Sequence, residues 1–277
     1  MKVAFSSHLN ELRSGGGNSG ATAFFDLDRT LIAGYSVAAL GWEGLKNATV
    51  PRWRIALQLR VFLDYSLGLA HYLDLLRVTL NDLAGVPEPE FLRLGERAFE
   101  NGLAGEIYDE GRELVAAHQA LGHRVVMLTS ATRAQAAPFA RELGIGHLRC
   151  TELETAGGRI TGAFQPCYGE SKRDAAEQFC ARRSLRLRDA WFYTDGIEDL
   201  PLLQAVGWPV VVNPKSKLER VAAERGWPHL DFAPRAESGR QSSGWRAHLA
   251  ELRGAAQRAI LGATEKGRAA LARRRSR

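Results

Sequence analysis

Two carboxylates one residue apart close an apolar run in Ala23-Phe24-Phe25-Asp26-Leu27-Asp28-Arg29-Thr30-Leu31-Ile32. Carboxylates so placed suit a short list of reactions. One can attack phosphorus as a covalent nucleophile, its neighbour can handle a proton, and Mg²⁺ can hold both together with the phosphate. In an extended chain Asp26 and Asp28 fall on the same side with Leu27 turned away, so two like charges are forced together and call for a cation. The plainer alternative is a strand followed by an aspartate-rich turn, because D-x-D-x-T is a five-residue pattern. Other groups of the same kind follow later in the chain. Ser130 ends the run Arg124-Val125-Val126-Met127-Leu128-Thr129, Lys172 stands in the first turn of a helix opened by Tyr168-Gly169-Glu170-Ser171, and Asp195 and Asp199 follow Ala190-Trp191-Phe192-Tyr193. A Ser at a strand end is commonly an N-cap and a helical Lys is commonly solvated. A Lys in a first helical turn nevertheless opposes the helix dipole, which reads as a reach for an anion.

These groups meet only if the elements deliver them to one edge of a sheet. Each candidate follows an apolar strand or starts a helix, as in an open parallel α/β sheet whose strand ends face a common crevice. The expected fold is therefore α/β, a Rossmann-like parallel sheet core with a helical cap inserted after the first strand. Residues 1–20, with Gly15-Gly16-Gly17-Asn18-Ser19-Gly20, read as a flexible lead-in. Residues 21–36 and 106–234 read as the catalytic core, and 235–277 as a basic tail. Between them, residues 37–105 show helical spacing over 37–47, 52–67, 72–83 and 88–101, with Pro51 and Gly85-Val86-Pro87 as breaks. About four helices without a strand exceed one crossover, so this segment is expected to be a lid that excludes water and selects substrate. A hairpin is expected over 151–166 with Gly157-Gly158 as its turn.

The string Asp26-Leu27-Asp28-Arg29-Thr30-Leu31 resembles the first motif of the haloacid-dehalogenase superfamily of phosphatases and phosphotransferases, and Ser130, Lys172 and Asp195-Gly196-Ile197-Glu198-Asp199 follow in the order of its later motifs. The resemblance covers residues 21–234 and is closest to the phosphoserine-phosphatase-like branch, in particular to phosphatase-like domains sometimes fused to phospholipid-type acyltransferases. It implies that Asp26 attacks phosphorus to form an aspartyl-phosphate. It implies that Asp28 protonates the leaving oxygen and later activates water. It also implies that Asp26, the Asp28 carbonyl and Asp195 surround Mg²⁺, with Asp199 holding a metal-bound water or anchoring Lys172. Ser130 and Lys172 would bind phosphoryl oxygens, and Thr30 would orient the loop beneath the nucleophile. Two departures stand out. Arg29 is bulky where the family more often has a small residue, and it either contacts an anionic substrate or points to solvent. Tyr35 stands nine residues after Asp26, where true phosphoserine phosphatases carry a Glu for the substrate amine, which argues against phosphoserine.

Composition narrows the rest. The 277 residues are 45% hydrophobic and 25% charged, an ordinary soluble globular chain. Three cysteines without C-x-x-C spacing suggest neither a disulfide framework nor a zinc knuckle. His118 and His123 flank a turn and read as solvated. With no signal-peptide core and no apolar run of membrane-spanning length, a cytoplasmic location is expected. The formal charge of +6 is concentrated in residues 235–277, where eleven Arg or Lys against three Glu give +8 and leave −2 elsewhere. A nucleic-acid-binding core would spread positive charge over a face, so no nucleic-acid partner is expected. In the tail Trp245, Leu249, Leu252, Ala256 and Ile260 recur at helical spacing, which suits peripheral contact with the inner membrane face or a protein, or a solvated tail. The leading reading is a Mg²⁺-dependent phosphomonoester hydrolase acting on a small phosphorylated metabolite. A phosphotransferase of the same fold, and a phosphate-binding regulatory or membrane-associated module, are the alternatives.

Overall fold

The apolar runs of the sequence become the strands of one seven-stranded sheet in the computed structural model, which describes residues 2–15, 20–46, 76–77 and 80–234. They are β1 (Thr22–Phe25), β2 (Arg124–Thr132), β3 (His147–Ala156), β4 (Arg159–Gln165), β5 (Trp191–Thr194), β6 (Trp208–Val212) and β7 (His229–Leu230), in the spatial order β4-β3-β2-β1-β5-β6-β7. All neighbours run parallel except the β3–β4 hairpin, which turns at Gly157-Gly158 as its sequence requires. The helices are α1 (Phe5–Arg13), α2 (Ser36–Lys46), α3 (Glu88–Glu100), α4 (Asp109–Ala120), α5 (Arg133–Glu142), α6 (Glu170–Ala181), α7 (Leu200–Leu203) and α8 (Ser216–Arg225). Strand order reverses on either side of β1, with Phe25 in register with Met127 of β2 and Tyr193 of β5. Such a reversal opens a crevice at the carboxyl ends of the strands. Both faces of β1 are covered. Phe24 packs edge-on against Phe179 of α6, while Phe25 stacks on Tyr193 with ring centroids 4.6 Å apart.

The chain divides into Met1–Gly44 with Leu80–Ala236 as one unit, and Leu45–Thr79 with Glu237–Arg277 as the other. The second lies almost wholly outside the described residues, and with it the expected helix over 52–67, half of that over 72–83, and the amphipathic tail. The helix α3 belongs to the sheet unit and packs on α5. Gly95 allows that approach, since a β-carbon there would lie 1.9 Å from the Ala134 carbonyl oxygen. Among the described residues no helix is long and apolar enough to cross a membrane.

Two expectations give way. Residues 5–13, read as part of a flexible lead-in, form α1, because His8, Leu9 and Leu12 share one buried face. His118 and His123, read as solvated, are buried. The cause is Tyr193, whose hydroxyl is interior and needs polar partners. Its oxygen lies 2.8 Å from His118 Nε2 and 3.1 Å from His8 Nε2, and His118 Nδ1 is 2.8 Å from His123 Nδ1. Burial lowers the His8 pKa to about 4. Between that value and the ordinary 6.5 the unfolded chain binds the extra proton, so this group's contribution to stability falls as pH falls. His8→Gln is expected to gain about 2 kcal/mol relative to the wild type between pH 7 and pH 5. Urea unfolding of both proteins at the two pH values measures this, and a pH-independent difference contradicts it.

Candidate active site

The Asp26 N–H donates to the Tyr193 carbonyl at 3.0 Å, so the first aspartate still belongs to the sheet and is fixed against β5. The chain then turns sharply. The N–H groups of Leu31 and Ile32 reach the Leu27 carbonyl at 2.9 and 3.1 Å, and the Arg29 N–H reaches the Gly34 carbonyl at 3.1 Å with Arg29 at φ 61°. Across the sheet end, α6 delivers Lys172, whose side chain is 2% exposed. Its Nζ donates to Asp26 Oδ1 at 2.9 Å and to Asp199 Oδ2 at 2.7 Å, and the Thr194 hydroxyl donates to the same Asp199 oxygen at 2.6 Å. A lysine in a first helical turn is thus explained by two buried carboxylates rather than by solvent.

Asp28 is held differently. Its Oδ1 accepts the Ser36 N–H at 2.7 Å and its Oδ2 the Ser36 hydroxyl at 3.2 Å, so this carboxylate caps the start of α2. The Ser36 hydroxyl also accepts from Gln135 Nε2 at 2.9 Å, and Gln135 Oε1 accepts from the Thr132 N–H and hydroxyl. Asp195, after β5, receives Arg29 Nε on Oδ2 at 2.7 Å. Arg29 therefore does not point into solvent alone. Among the described residues no three ligating side chains stand ready-grouped for a metal, yet the donors are present. Asp199 Oδ1 is buried without a hydrogen-bond partner, and the bonds above use only Oδ1 of Asp26 and only Oδ2 of Asp195. Carboxylate oxygens with spare lone pairs suit a hard cation such as Mg²⁺.

The haloacid dehalogenase-like hydrolase family model matches residues 23–204, which contain every group just described. The chain belongs to the haloacid dehalogenase-like hydrolase family. It is 32% identical over 225 residues to a phosphoserine phosphatase of Mycobacterium tuberculosis, covering 76% of this chain and 71% of that one. It is 33% identical over 217 residues to a histidinol-phosphatase of Neisseria meningitidis, covering 76% and 98%. A solved structure of a protein with unknown function from Bordetella pertussis is 28% identical, with a TM-score of 0.68 over 77% of this chain and 99% of that one.

In this haloacid dehalogenase-like hydrolase the electrostatics follow from burial. Desolvation pushes the Asp26 carboxyl up, Lys172 pulls it back, and Asp199 and Asp195 add to the rise. Burial raises Asp28 to about 6 against the Ser36 hydrogen bonds, and raises Asp195 to about 6 against Arg29. An Asp28 near 6 is placed to give and take a proton near neutrality. Thr30 is buried in the loop beneath Asp26 with its hydroxyl unpaired, and Ser130 lies near the end of β2 with its carbonyl bound by the Thr151 hydroxyl at 2.7 Å. Thr132, not Ser130, caps α5. Sequence reasoning missed Ser36, Gln135 and Asn213. Thr132-x-x-Gln135 carries a capping-box signature that was available, whereas nothing near Ser36 or Asn213 marks either as part of the site.

Proposed function

We propose that the protein is a Mg²⁺-dependent phosphomonoester hydrolase that works through an aspartyl-phosphate on a small phosphorylated metabolite. The observation that carries this reading is the buried Lys172 bound to Asp26 and Asp199, since an ammonium held there favours the ionised form of a nucleophilic carboxylate and opposes the rise that burial causes. Asp26 attacks phosphorus through its uncommitted oxygen while the bond to the leaving oxygen breaks, and Asp28 gives that oxygen its proton. Asp28 then takes a proton from water as the water attacks phosphorus, which releases phosphate and restores the Asp26 carboxylate. Lys172, with Ser130 and Thr30, faces the charge that gathers on the phosphoryl oxygens. Bound by Asp26, Asp195 and the Asp28 carbonyl, with Asp199 behind them, Mg²⁺ would supply further neutralisation of that charge.

The relatives named for phosphoserine and for histidinol phosphate are equally similar to this chain, so similarity alone selects neither substrate. Tyr35 offers no carboxylate to a substrate ammonium, which favours an ester other than phosphoserine. A phosphotransferase would share the first half-reaction and differ only in its acceptor. Phosphate release across a panel of phosphomonoesters, including phosphoserine and histidinol phosphate, tests the reading. Turnover is expected with Mg²⁺ and not in excess chelator, with phosphoserine among the poorer substrates. Full activity in chelator, or no release from any ester, would reject the mechanism, and phosphoserine as the best substrate would reject the inference from Tyr35.

A further inference from the structure

Arg29 is the charged group at this site that the proposed chemistry leaves unused. Its backbone sits at φ 61°, a conformation that glycine adopts freely and a β-carbon resists. The side chain lies across the ends of three neighbouring strands. From the loop after β1, Nε donates to Asp195 Oδ2 beyond β5 at 2.7 Å, and Nη2 donates to the Asn213 carbonyl beyond β6 at 3.2 Å. That carbonyl is itself placed in advance. Asn213 stands at φ 43°, braced by its side chain, which donates to the Phe232 carbonyl at 3.2 Å and accepts the Phe232 N–H at 2.9 Å.

We propose that Arg29 is a built-in counter-ion of Asp195 that competes with a divalent cation for that carboxylate and so lowers the metal affinity of the site. The proposal rests on the metal-assisted reading above and concerns what this chain's own arginine does to it. Two effects of Arg29 oppose each other. Its hydrogen bond orients Asp195, which favours a ligand, while its fixed positive charge draws on the same carboxylate and repels a dication. Orientation is the smaller of the two, because Thr194 is already locked in the ladder with Val211 and Asp195 follows it directly. Repulsion between a monocation and a dication sharing one carboxylate is poorly screened where Asp195 is only 10% exposed. The Arg29 side chain is 32% exposed and has an open side into which it can withdraw.

The experiment is Mn²⁺ binding to the metal-free full-length protein, followed by the loss of the free-ion electron paramagnetic resonance signal. Arg29→Gly is the informative variant, since glycine is at ease at φ 61° and the backbone gives no reason to misfold. It is expected to bind Mn²⁺ about tenfold more tightly than the wild type. Its metal-free melting temperature should fall, and saturating Mn²⁺ should raise it by more than in the wild type, as linkage requires. An unchanged or weaker Mn²⁺ constant in Arg29→Gly, with the wild type binding normally, overturns the proposal alone. A wild type that binds no Mn²⁺, or an Asp195→Asn variant that binds it equally well, overturns the metal reading and this proposal with it.

Discussion

Asp26→Asn is expected to lower turnover by roughly 10⁴-fold or more while leaving a folded protein. The loss is large because an amide cannot form the acyl-phosphate, and no second carboxylate replaces it at the end of β1. Asp199 already accepts from Lys172 and Thr194, and the Asp28 carboxylate is committed to Ser36. The fold survives for an electrostatic reason. Asp26 is a buried carboxylate whose ionisation is opposed by desolvation and by Asp199 and Asp195, so neutralising it relieves three unfavourable contributions and forfeits one favourable contact with Lys172. Lys172 keeps its stronger-placed partner, Asp199 Oδ2 at 2.7 Å. Phosphate release measured with thermal unfolding separates the two effects. Turnover within tenfold of the wild type would remove Asp26 from the role of nucleophile.

Much of this site was legible because its residues break local rules. Asp26 and Asp28 are charges at the end of a strand buried on both faces, and Lys172 opposes the dipole of its own helix; each anomaly points to a partner elsewhere. The parallel sheet was legible in the same way, since an alternation of apolar runs with helical segments allows few other arrangements. What escaped is what only tertiary proximity creates. Ser36 becomes part of the site because α2 begins against Asp28, and Gln135 because α5 begins against Ser36, yet neither residue type is unusual where it stands. The buried histidines escaped for a related reason. His118 and His123 look like turn residues until Tyr193, seventy-five residues after His118, presents a hydroxyl that must be satisfied inside. The helix α1 was hidden by its neighbours: Phe5, Leu9 and Leu12 have the spacing of one helical face, but the glycine-rich run beginning at Gly15 dominates a compositional reading. Arg29 was noticed as bulky and its role was not seen, because the acceptors that turn it inward lie 166 and 184 residues away.

Lys172→Met is expected to be costlier than loss of the nucleophile, because it damages the fold and the chemistry together. Methionine matches the length of the lysine stem and removes the ammonium, including its place over the Phe192 ring, so the change isolates the charge. What it leaves is Asp26 and Asp199 facing each other in the interior without a cation. Breaking a buried pair from one side costs about 3–5 kcal/mol. The sign of its pH dependence follows from Asp26. Burial already raises that carboxyl, and removal of Lys172 takes away the largest influence opposing that rise. A group whose pKa is raised on folding stabilises the protein below its unfolded value and loses that contribution as pH rises through the folded one. The wild-type Asp26 carboxyl is itself raised to about 8, so the deficit of Lys172→Met relative to the wild type should change little below that pH and grow above it. The same shift keeps Asp26 protonated to higher pH than in the wild type, so less of the variant carries an ionised nucleophile even where it is folded. Adding Asp26→Asn to Lys172→Met should recover part of the stability above that pH and none of the activity, a non-additivity expected of groups in direct contact. Urea unfolding of the wild type, both single variants and the double variant, on either side of the wild-type Asp26 value, measures the coupling. Equal stability of Lys172→Met and the wild type on the alkaline side would mean that the lysine does not favour ionisation of these carboxylates, and the mechanism built on it would fall.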